Sequence, residues 1–325
     1  MRKAWVALAV AALAGSLAVS APATATTSTT SARASVIATF GTTESFAESG
    51  TTDRAGNLVV SVTHWVEGTG QLYVVRPDGR TTAFGPPVAL GGCAMMLGVD
   101  LDPRGNAIVA IFNFDPSCGA DSPATGLIKV TSHKVSRLTT MPEGTWPNGV
   151  EVVGDTVYVT ESLSGSVWAV PSDHVTAPSR PWLTSALLAP LDDPAIGADG
   201  VLFRDGALWL TSYAQGLIAR VPIRHDGSPG HITVVASDPR LVTADGIAFD
   251  SHGTLWVAVN HRTLPDGSLD PGHLVTVTGR GTVSDTTLGL GLLDYPTQVL
   301  FGRDGRTFVV NGSYNVGTPN ILRIG

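Results

Sequence analysis

Several Glu, Asn and Asp side chains in this 325-residue sequence are of types that could bind a hard metal ion. Glu48, Asn148, Asp199 and Asp245 lie far apart along the chain, each at the entry of a short predicted strand and each followed by Ser or Gly. Carboxylate and amide oxygens are the ligands that calcium and other hard cations prefer. They can form one site only if the fold brings these distant segments together.

The elements that would position these residues form an internal repeat. Each unit has a short apolar strand, a Gly-containing turn, a second apolar strand and a third strand after a loop, which is the hairpin pattern. A spacing of about 50 residues is in the propeller range and excludes shorter solenoid repeats. We therefore predict an all-β fold, a six-bladed β-propeller with four-stranded blades, with an open β-sandwich as the alternative. The second residues of the six units are Ser49, Gly98, Gly149, Gly200, Gly246 and Gln298.

The last unit lacks a fourth strand. It ends at its third strand, 320–324, whereas an unassigned strand, 35–40, precedes the first unit. We predict that this N-terminal strand completes the last blade, because closure leaves few exposed strand edges. The propeller then occupies residues 35–325, and a closed ring of this kind is complete as a monomer.

The N-terminus has the pattern of a secretory signal peptide. Two basic residues precede the apolar stretch 4–19, and the small residues 23–25 provide a cleavage site. A membrane span is the alternative, but the stretch is shorter than the roughly 20 residues that a span needs. We predict a signal peptide at 1–25, a Thr/Ser-rich linker at 26–34 and a secreted mature protein that does not associate with a membrane.

Composition narrows the possible functions. The chain is 43% hydrophobic and 14% charged, with a net charge of −7 and no basic run. It is too apolar to be disordered, and nucleic acid is not an expected partner. Export permits a disulfide between Cys93 and Cys118, which we predict, with two buried thiols as the alternative. The sequence has no Gly-x-Ser-x-Gly elbow, His-Glu-x-x-His helix or phosphate-binding loop.

A propeller would gather polar residues at one mouth of its central channel. The loop entering each inner strand and the end of each second strand meet there, so side chains from all blades face one another. We expect a small-molecule substrate at this mouth, bound by a set that comprises Trp146, Asn113, Met96, His64 and Asn260.

Four stretches resemble the gluconolactonase and regucalcin-like family of six-bladed propellers, also called the senescence-marker-protein family. They are AESGTTDRAGNL, WPNGVEVVGDTVYVTESLSGSVWAV, GADGVLFRDGALWLTSYAQGLIARV and YPTQVLFGRDGRTFVVNG. The resemblance covers almost the whole mature chain. It implies that Glu48, Asn148 and Asp199 bind a divalent metal, most commonly calcium. It also implies hydrolysis of a lactone or ester, in which the metal polarises the carbonyl and Asp199 is both ligand and proton acceptor.

The sequence departs from the family at two places. The polar Asn-Asp-Gly pattern entering the second blade is replaced by MMLGVDLDP, residues 95–103, and the Pro two residues after the first-blade Glu is Gly50 here. An apolar contact at the mouth would suit a ligand less polar than a sugar lactone.

Other interpretations stay open. The Asn-Gly and Asp-Gly pairs could be ordinary turns, because these residues tolerate left-handed backbone conformations, and Asp245-Gly246 repeats the pair one blade later. The propeller could instead be a non-catalytic binding protein of the NHL type. It could also resemble strictosidine-synthase-like propellers, which use a channel acid and need no metal.

Overall fold

The computed structural model describes residues 34–115, 117, 122–173, 180–192, 195–263, 268–313 and 317–325, with only the backbone described at 262 and 263. The predicted signal peptide, residues 1–25, lies outside the described residues, as does the predicted linker except for Ala34. Within the described part, no helix has the length and apolar character that a membrane span needs.

Six antiparallel four-stranded sheets form the blades. Blade one contains β2 (Ser45–Thr52), β3 (Leu58–His64), β4 (Thr69–Val75) and β5 (Thr81–Ala89). Blade two contains β6 (Ala94–Leu101), β7 (Ala107–Asn113), β8 (Gly126–Val130) and β9 (Val135–Thr140). Blade three contains β10 (Pro147–Val153), β11 (Thr156–Glu161), β12 (Ser166–Pro171) and β13 (Leu183–Thr184).

The other three blades follow the same order. Blade four contains β14 (Ala198–Arg204), β15 (Ala207–Ser212), β16 (Leu217–Pro222) and β17 (Thr233–Ser237). Blade five contains β18 (Ala244–Phe249), β19 (Leu255–Val259), β22 (His273–Val277) and β23 (Val283–Asp285), and carries a hairpin of β20 (Arg262–Thr263) and β21 (Leu269–Asp270). Blade six contains β24 (Pro296–Phe301), β25 (Thr307–Asn311), β26 (Asn320–Ile324) and β1 (Ala34–Thr39). Short 3-10 turns cover Ala186–Leu188 and Pro239–Leu241.

The blades form a closed ring, as the sequence predicts. The inner strands contact one another in the circular order β2, β6, β10, β14, β18, β24 and back to β2. The N-terminal strand closes the ring, because β1 pairs antiparallel with β26 from Ala34 opposite Ile324 to Thr39 opposite Asn320. The predicted fold and the predicted closing strand are both confirmed.

The hairpin turn between the first two strands is built in the same way in several blades. An Asp side chain accepts a hydrogen bond from the backbone N–H two residues later, and a Gly with positive φ follows, which is the local chemistry that favours a tight turn. These Asp residues are Asp53, Asp102, Asp250 and Asp304, and the glycines are Gly56, Gly105, Gly253 and Gly305.

The apolar residues of the strands are buried between neighbouring blades. One such core lies between blades one and six and contains the fully buried side chains Leu58, Val60 and Phe308, with Phe40 from the end of the closing strand. Burial of a large apolar side chain contributes roughly 1.5–3 kcal/mol. The alternating apolar side chains of each strand therefore stabilise the packing of each blade against its neighbours.

A β-bulge interrupts every inner strand at the same level of the ring. The glycine in this bulge lies against the next inner strand: a Cβ at Gly149 would lie 2.5 Å from the Asp199 carbonyl oxygen, and one at Gly200 would lie 2.4 Å from that of Asp245. Neither glycine has a positive φ. The Asn-Gly and Asp-Gly pairs are therefore not turns, and that interpretation is wrong. Their glycines allow adjacent strands to approach closely, as backbone contact requires.

Candidate functional site

Four polar residues that precede a bulge glycine, or Ser49 in blade one, line the central channel. Glu48, Asn148, Asp199 and Asp245 occupy this position in blades one, three, four and five, and all four line one cavity of about 350 Å³. Their exposed fractions are 7%, 5%, 3% and 6%. The fold thus brings the three predicted ligands together, and it adds Asp245 from the next blade.

Burial is the main cause of a raised pKa in all three carboxyl groups of this cluster, Glu48, Asp199 and Asp245. Burial holds the pKa of Glu48 well above its usual range, and the charge of Asp245 adds to this. Burial is also the main cause of the raised pKa of Asp199, followed by Asp245 and Glu48. Burial raises the pKa of Asp245 to about 7, although hydrogen bonds with Asn260 and Asp199 oppose the shift. The cluster therefore concentrates uncompensated negative charge, which buried sites tolerate only when it is paired, protonated or bound to a cation.

Two amide side chains are oriented by the neighbouring blades. The Asn260 amide nitrogen donates to Asp245 Oδ2 (3.0 Å) and to the Pro296 carbonyl oxygen (2.8 Å). The Asn148 amide nitrogen donates to Ser162 Oγ (3.3 Å), which itself donates to the Ala198 carbonyl oxygen (2.8 Å). The Asn148 side-chain oxygen therefore stays available as an acceptor.

The donor set fits a hard cation. Among the described residues, no N–H group donates a hydrogen bond to the Glu48 or Asp199 carboxylate. Such buried oxygens without N–H partners are the groups that a calcium ion would coordinate. Over the same described residues, no three His, Cys, Asp or Glu side chains are placed to hold a metal as they stand. The predicted ligand set is of another kind, because it combines the carboxylates of Glu48 and Asp199 with the amide oxygen of Asn148.

Two tyrosines lie beside the acids, and the sequence did not single them out as a pair. Tyr213 follows β15 and Tyr295 precedes β24, and their phenol groups are hydrogen-bonded to each other. Burial raises the pKa of both, and the charges of Asp199 and Asp245 raise that of Tyr213 further. Both tyrosines therefore remain neutral and can donate hydrogen bonds. Tyr295 has a φ of 56°, a strained value for a side chain of this size.

A second acidic pair lines the same cavity three residues further along two inner strands. Asp100 accepts from Thr51 Oγ1 and from the Val152 backbone N–H, both at 2.8 Å. Burial raises the pKa of Asp100, and burial together with the charge of Asp100 raises that of Glu151 well above its usual range. Sequence reasoning missed this pair. The available signal was the position of each acid two residues after a bulge glycine, Gly98 or Gly149.

The predicted substrate contacts divide into two groups. Asn260 lies in the acid cluster, and Trp146 lies just before β10, two residues before Asn148. His64 has both ring nitrogens bonded within blade one, Nδ1 to Ser45 Oγ (2.8 Å) and Nε2 to the Tyr73 hydroxyl (3.1 Å). The His64 side chain therefore stabilises its own blade.

The remaining two contacts lie in blade two. The Asn113 amide nitrogen donates to Ser122 Oγ and to the Pro123 carbonyl oxygen, both at 3.1 Å, and so holds a loop. Met96 is fully buried among the core side chains between blades one and two. The prediction that Met96 contacts the substrate is wrong, because its side chain points into that core.

The predicted disulfide involves one residue that the structure does not describe. Cys93 lies just before β6, whereas Cys118 lies outside the described residues. The bridge stays a prediction.

Fold and site together define the class of this protein as a six-bladed propeller with a buried acidic cluster in its channel. No family model and no curated protein matches the sequence. Solved structures with this fold include a gluconolactonase from Xanthomonas campestris, at 16% identity and a TM-score of 0.54, covering 90% of this chain and 89% of that chain.

Two other solved structures extend the comparison. A luciferin-regenerating enzyme has 13% identity and a TM-score of 0.56 over 86% of this chain and 91% of its own. A putative oxidoreductase (glucose dehydrogenase) from Thermus thermophilus has 15% identity and a TM-score of 0.60 over 90% of this chain and 100% of its own. The predicted resemblance to gluconolactonase-like propellers is thus confirmed in the fold.

Proposed function

We propose that this protein is a secreted, calcium-dependent hydrolase of a lactone or ester. Glu48, Asn148 and Asp199 bind the cation, and Asp199 also serves as the base. The observation that carries this proposal is the convergence of buried oxygens without N–H partners, from three blades, on one channel cavity. The fold shared with a gluconolactonase supports the choice of reaction.

The side chains of the site can move the protons of such a reaction. A bound calcium ion would polarise the substrate carbonyl and position a water molecule. Asp199 accepts a proton from the water molecule as the water oxygen bonds to the carbonyl carbon. Asp199 then returns the proton to the leaving alkoxide as the C–O bond breaks. Asp245, held by Asn260, contacts Asp199 and can share this proton. Tyr213 can donate a hydrogen bond to a substrate oxygen.

Calcium titration by calorimetry tests the proposal. The mature protein, residues 26–325, is stripped with chelator and titrated beside Asp199→Ala and the hairpin-turn variant Asp250→Asn, whose carboxyl lies at the other end of its blade. We expect one site in the parent and in Asp250→Asn and none in Asp199→Ala, with turnover of lactones or esters lost in the same variant.

The absence of calcium binding in all three proteins would overturn the proposal. It would favour a non-catalytic binding propeller or a strictosidine-synthase-like one. Loss of activity when a channel acid is replaced, with no effect of the chelator, would identify the second. Turnover that survives both the chelator and Asp199→Ala would overturn the assigned roles.

Export and cross-linking belong to the same proposal. We expect the secreted protein to begin after residue 25, to carry a Cys93–Cys118 disulfide and to be a monomer. The intact mass after secretion, thiol titration in denaturant and light scattering measure these three properties.

A further inference from the structure

Four aromatic rings form a continuous row across blades one to three, at the end of the blades where the inner strands begin. We define the aromatic belt as Trp65, Phe112, Phe114 and Trp146. Phe112 and Trp146 are stacked with ring centroids 4.6 Å apart and planes at 6°, Phe112 and Phe114 lie 6.3 Å apart, and Phe114 and Trp65 lie 6.1 Å apart. All four are half-buried. The belt therefore crosses from blade one to blade three and keeps apolar surface accessible.

The belt lies at the same end of the blades as the acid cluster. Trp65 follows the end of β3, Phe112 lies at the end of β7, and Trp146 precedes β10. Ends of second strands and starts of inner strands share one edge, as the pairing of Pro147 with Glu161 shows. At the position equivalent to the acids, blade two has Leu97, which is buried in the core cluster against which Phe112 and Trp146 pack. This end of blades two and three is thus apolar, and Trp146 lies two residues before Asn148 of the site.

Trp146 has an unused hydrogen-bond donor. Its indole Nε1 is buried and has no partner among the described residues. The residue itself is firmly held, since its backbone N–H donates to Glu161 Oε1 (2.9 Å) and its ring stacks on Phe112. A buried donor without an acceptor is unfavourable, and native proteins rarely keep one without a reason. A ligand oxygen at this position would satisfy it.

We propose that the aromatic belt binds the apolar part of a neutral lactone or ester that carries an aryl or alkyl substituent, and that Trp146 Nε1 donates to an oxygen of that ligand. This inference rests on the proposed function, because it assumes that the acid cluster is the reaction centre. The three neighbouring carboxyl groups disfavour anionic ligands, and the belt offers polyhydroxylated ones few hydrogen-bond partners.

Binding to the metal-stripped protein tests the belt separately from turnover. Calorimetry in chelator compares γ-phenyl-γ-butyrolactone with glucono-δ-lactone. We expect saturable one-to-one binding of the phenyl lactone and at least tenfold weaker binding of the sugar lactone. Phe112→Ala should weaken phenyl lactone binding about tenfold or more, since a stacked ring is removed. Trp146→Phe keeps a ring but removes the donor, and should weaken it about three- to tenfold.

The control is Trp256→Phe, because the Trp256 indole Nε1 bonds to Asp250 in the hairpin turn of blade five, away from the mouth. It should bind the phenyl lactone as the parent does. If Phe112→Ala does not fold, Phe112→Leu is used, and thermal unfolding verifies each variant. Equal affinity for the two lactones, or belt variants that bind like the parent, would overturn the inference.

The two proposals fail in different ways. Calcium binding and turnover that favour the sugar lactone would overturn the belt as a substrate site and leave the hydrolase intact. Phenyl lactone binding that depends on Phe112 and Trp146, in a protein that binds no calcium, would support the belt and overturn the calcium-dependent hydrolase.

Discussion

Replacement of Asp245 by Asn should stabilise the metal-free protein at high pH. When the pKa of an acid is raised by folding, the folded protein binds more protons than the unfolded chain at any pH between the two pKa values. Stability therefore falls as pH rises from the unfolded-state pKa to the folded-state pKa. For Asp245 the interval runs from the ordinary value of 3.8 to about 7. At about 1.4 kcal/mol for each pKa unit, the ionised form costs up to about 4 kcal/mol at pH 8. Asn avoids this cost but loses part of the hydrogen bonding with Asn260.

Urea unfolding in the presence of chelator at pH 8, 6 and 4 measures the effect. We expect the unfolding free energy of Asp245→Asn to exceed that of the parent by about 2–4 kcal/mol at pH 8. The difference should fall below about 1 kcal/mol near pH 4, where the parent carboxyl is protonated in the folded state and partly protonated in the unfolded chain. A variant that is less stable than the parent at pH 8, or a difference that does not change with pH, would refute the reasoning.

Asp250→Asn, in the same blade, supplies a control of opposite sign. The Asp250 carboxylate accepts hydrogen bonds from the backbone N–H groups of His252 and Thr254, both at 2.9 Å. Its pKa is lowered by hydrogen bonds from Thr254, Trp256 and His252, which outweigh the opposing effect of burial. This stabilisation is present above the ordinary pKa and is lost as pH falls, so Asp250→Asn should destabilise the protein at pH 8 and matter less in acid.

Gly200→Ala should lower the unfolding free energy by about 3 kcal/mol in urea denaturation, because the new Cβ would lie 2.4 Å from the Asp245 carbonyl oxygen. Gly279→Ala is the control and should have little effect, since a Cβ there would have no atom within 4 Å. Removal of residues 26–40, compared with a chain starting at 26, should cost at least about 3 kcal/mol through loss of β1 and of the buried Phe40, measured by thermal unfolding. Glu161→Gln should lower the unfolding free energy by about 1–3 kcal/mol and shift the fluorescence of Trp146. The Glu161 carboxylate accepts hydrogen bonds from the backbone N–H of Trp146 and from two other backbone N–H groups, whereas a Gln amide can accept through its oxygen only.

The fold was predictable because it repeats. Alternating apolar residues around a Gly-containing turn specify a hairpin locally, and about 50 residues per unit leaves few architectures other than a propeller. The unpaired strand before the first unit predicted the closing strand for the same reason, since an exposed edge needs a partner. The structure confirms it through the pairing of β1 with β26.

The site was predictable only in part. Glu48, Asn148 and Asp199 come together as expected, yet Asp245, in the equivalent position of blade five, is not among the ligands that the family resemblance implies. Sequence does not distinguish a glycine needed for positive φ from one needed for close approach between strands. Tyr213 and Tyr295 were missed as a pair, because contacts between different blades leave no local pattern. Met96 was misplaced, because alternation alone does not show that Met96 and Leu97 are both buried, each in a different core between blades.

The pairing of β1 with β26 also governs how this ring can assemble. Ala34 and Ile324 lie opposite each other, so the last sheet forms only when segments separated by nearly the whole chain meet. Joining segments that far apart costs an unfolded chain about 6 kcal/mol of entropy, and such nonlocal pairing slows folding. In a chain whose two ends are covalently linked, most of this entropy is already lost in the unfolded state. Cyclisation should therefore accelerate folding of the propeller while leaving the geometry of the channel unchanged.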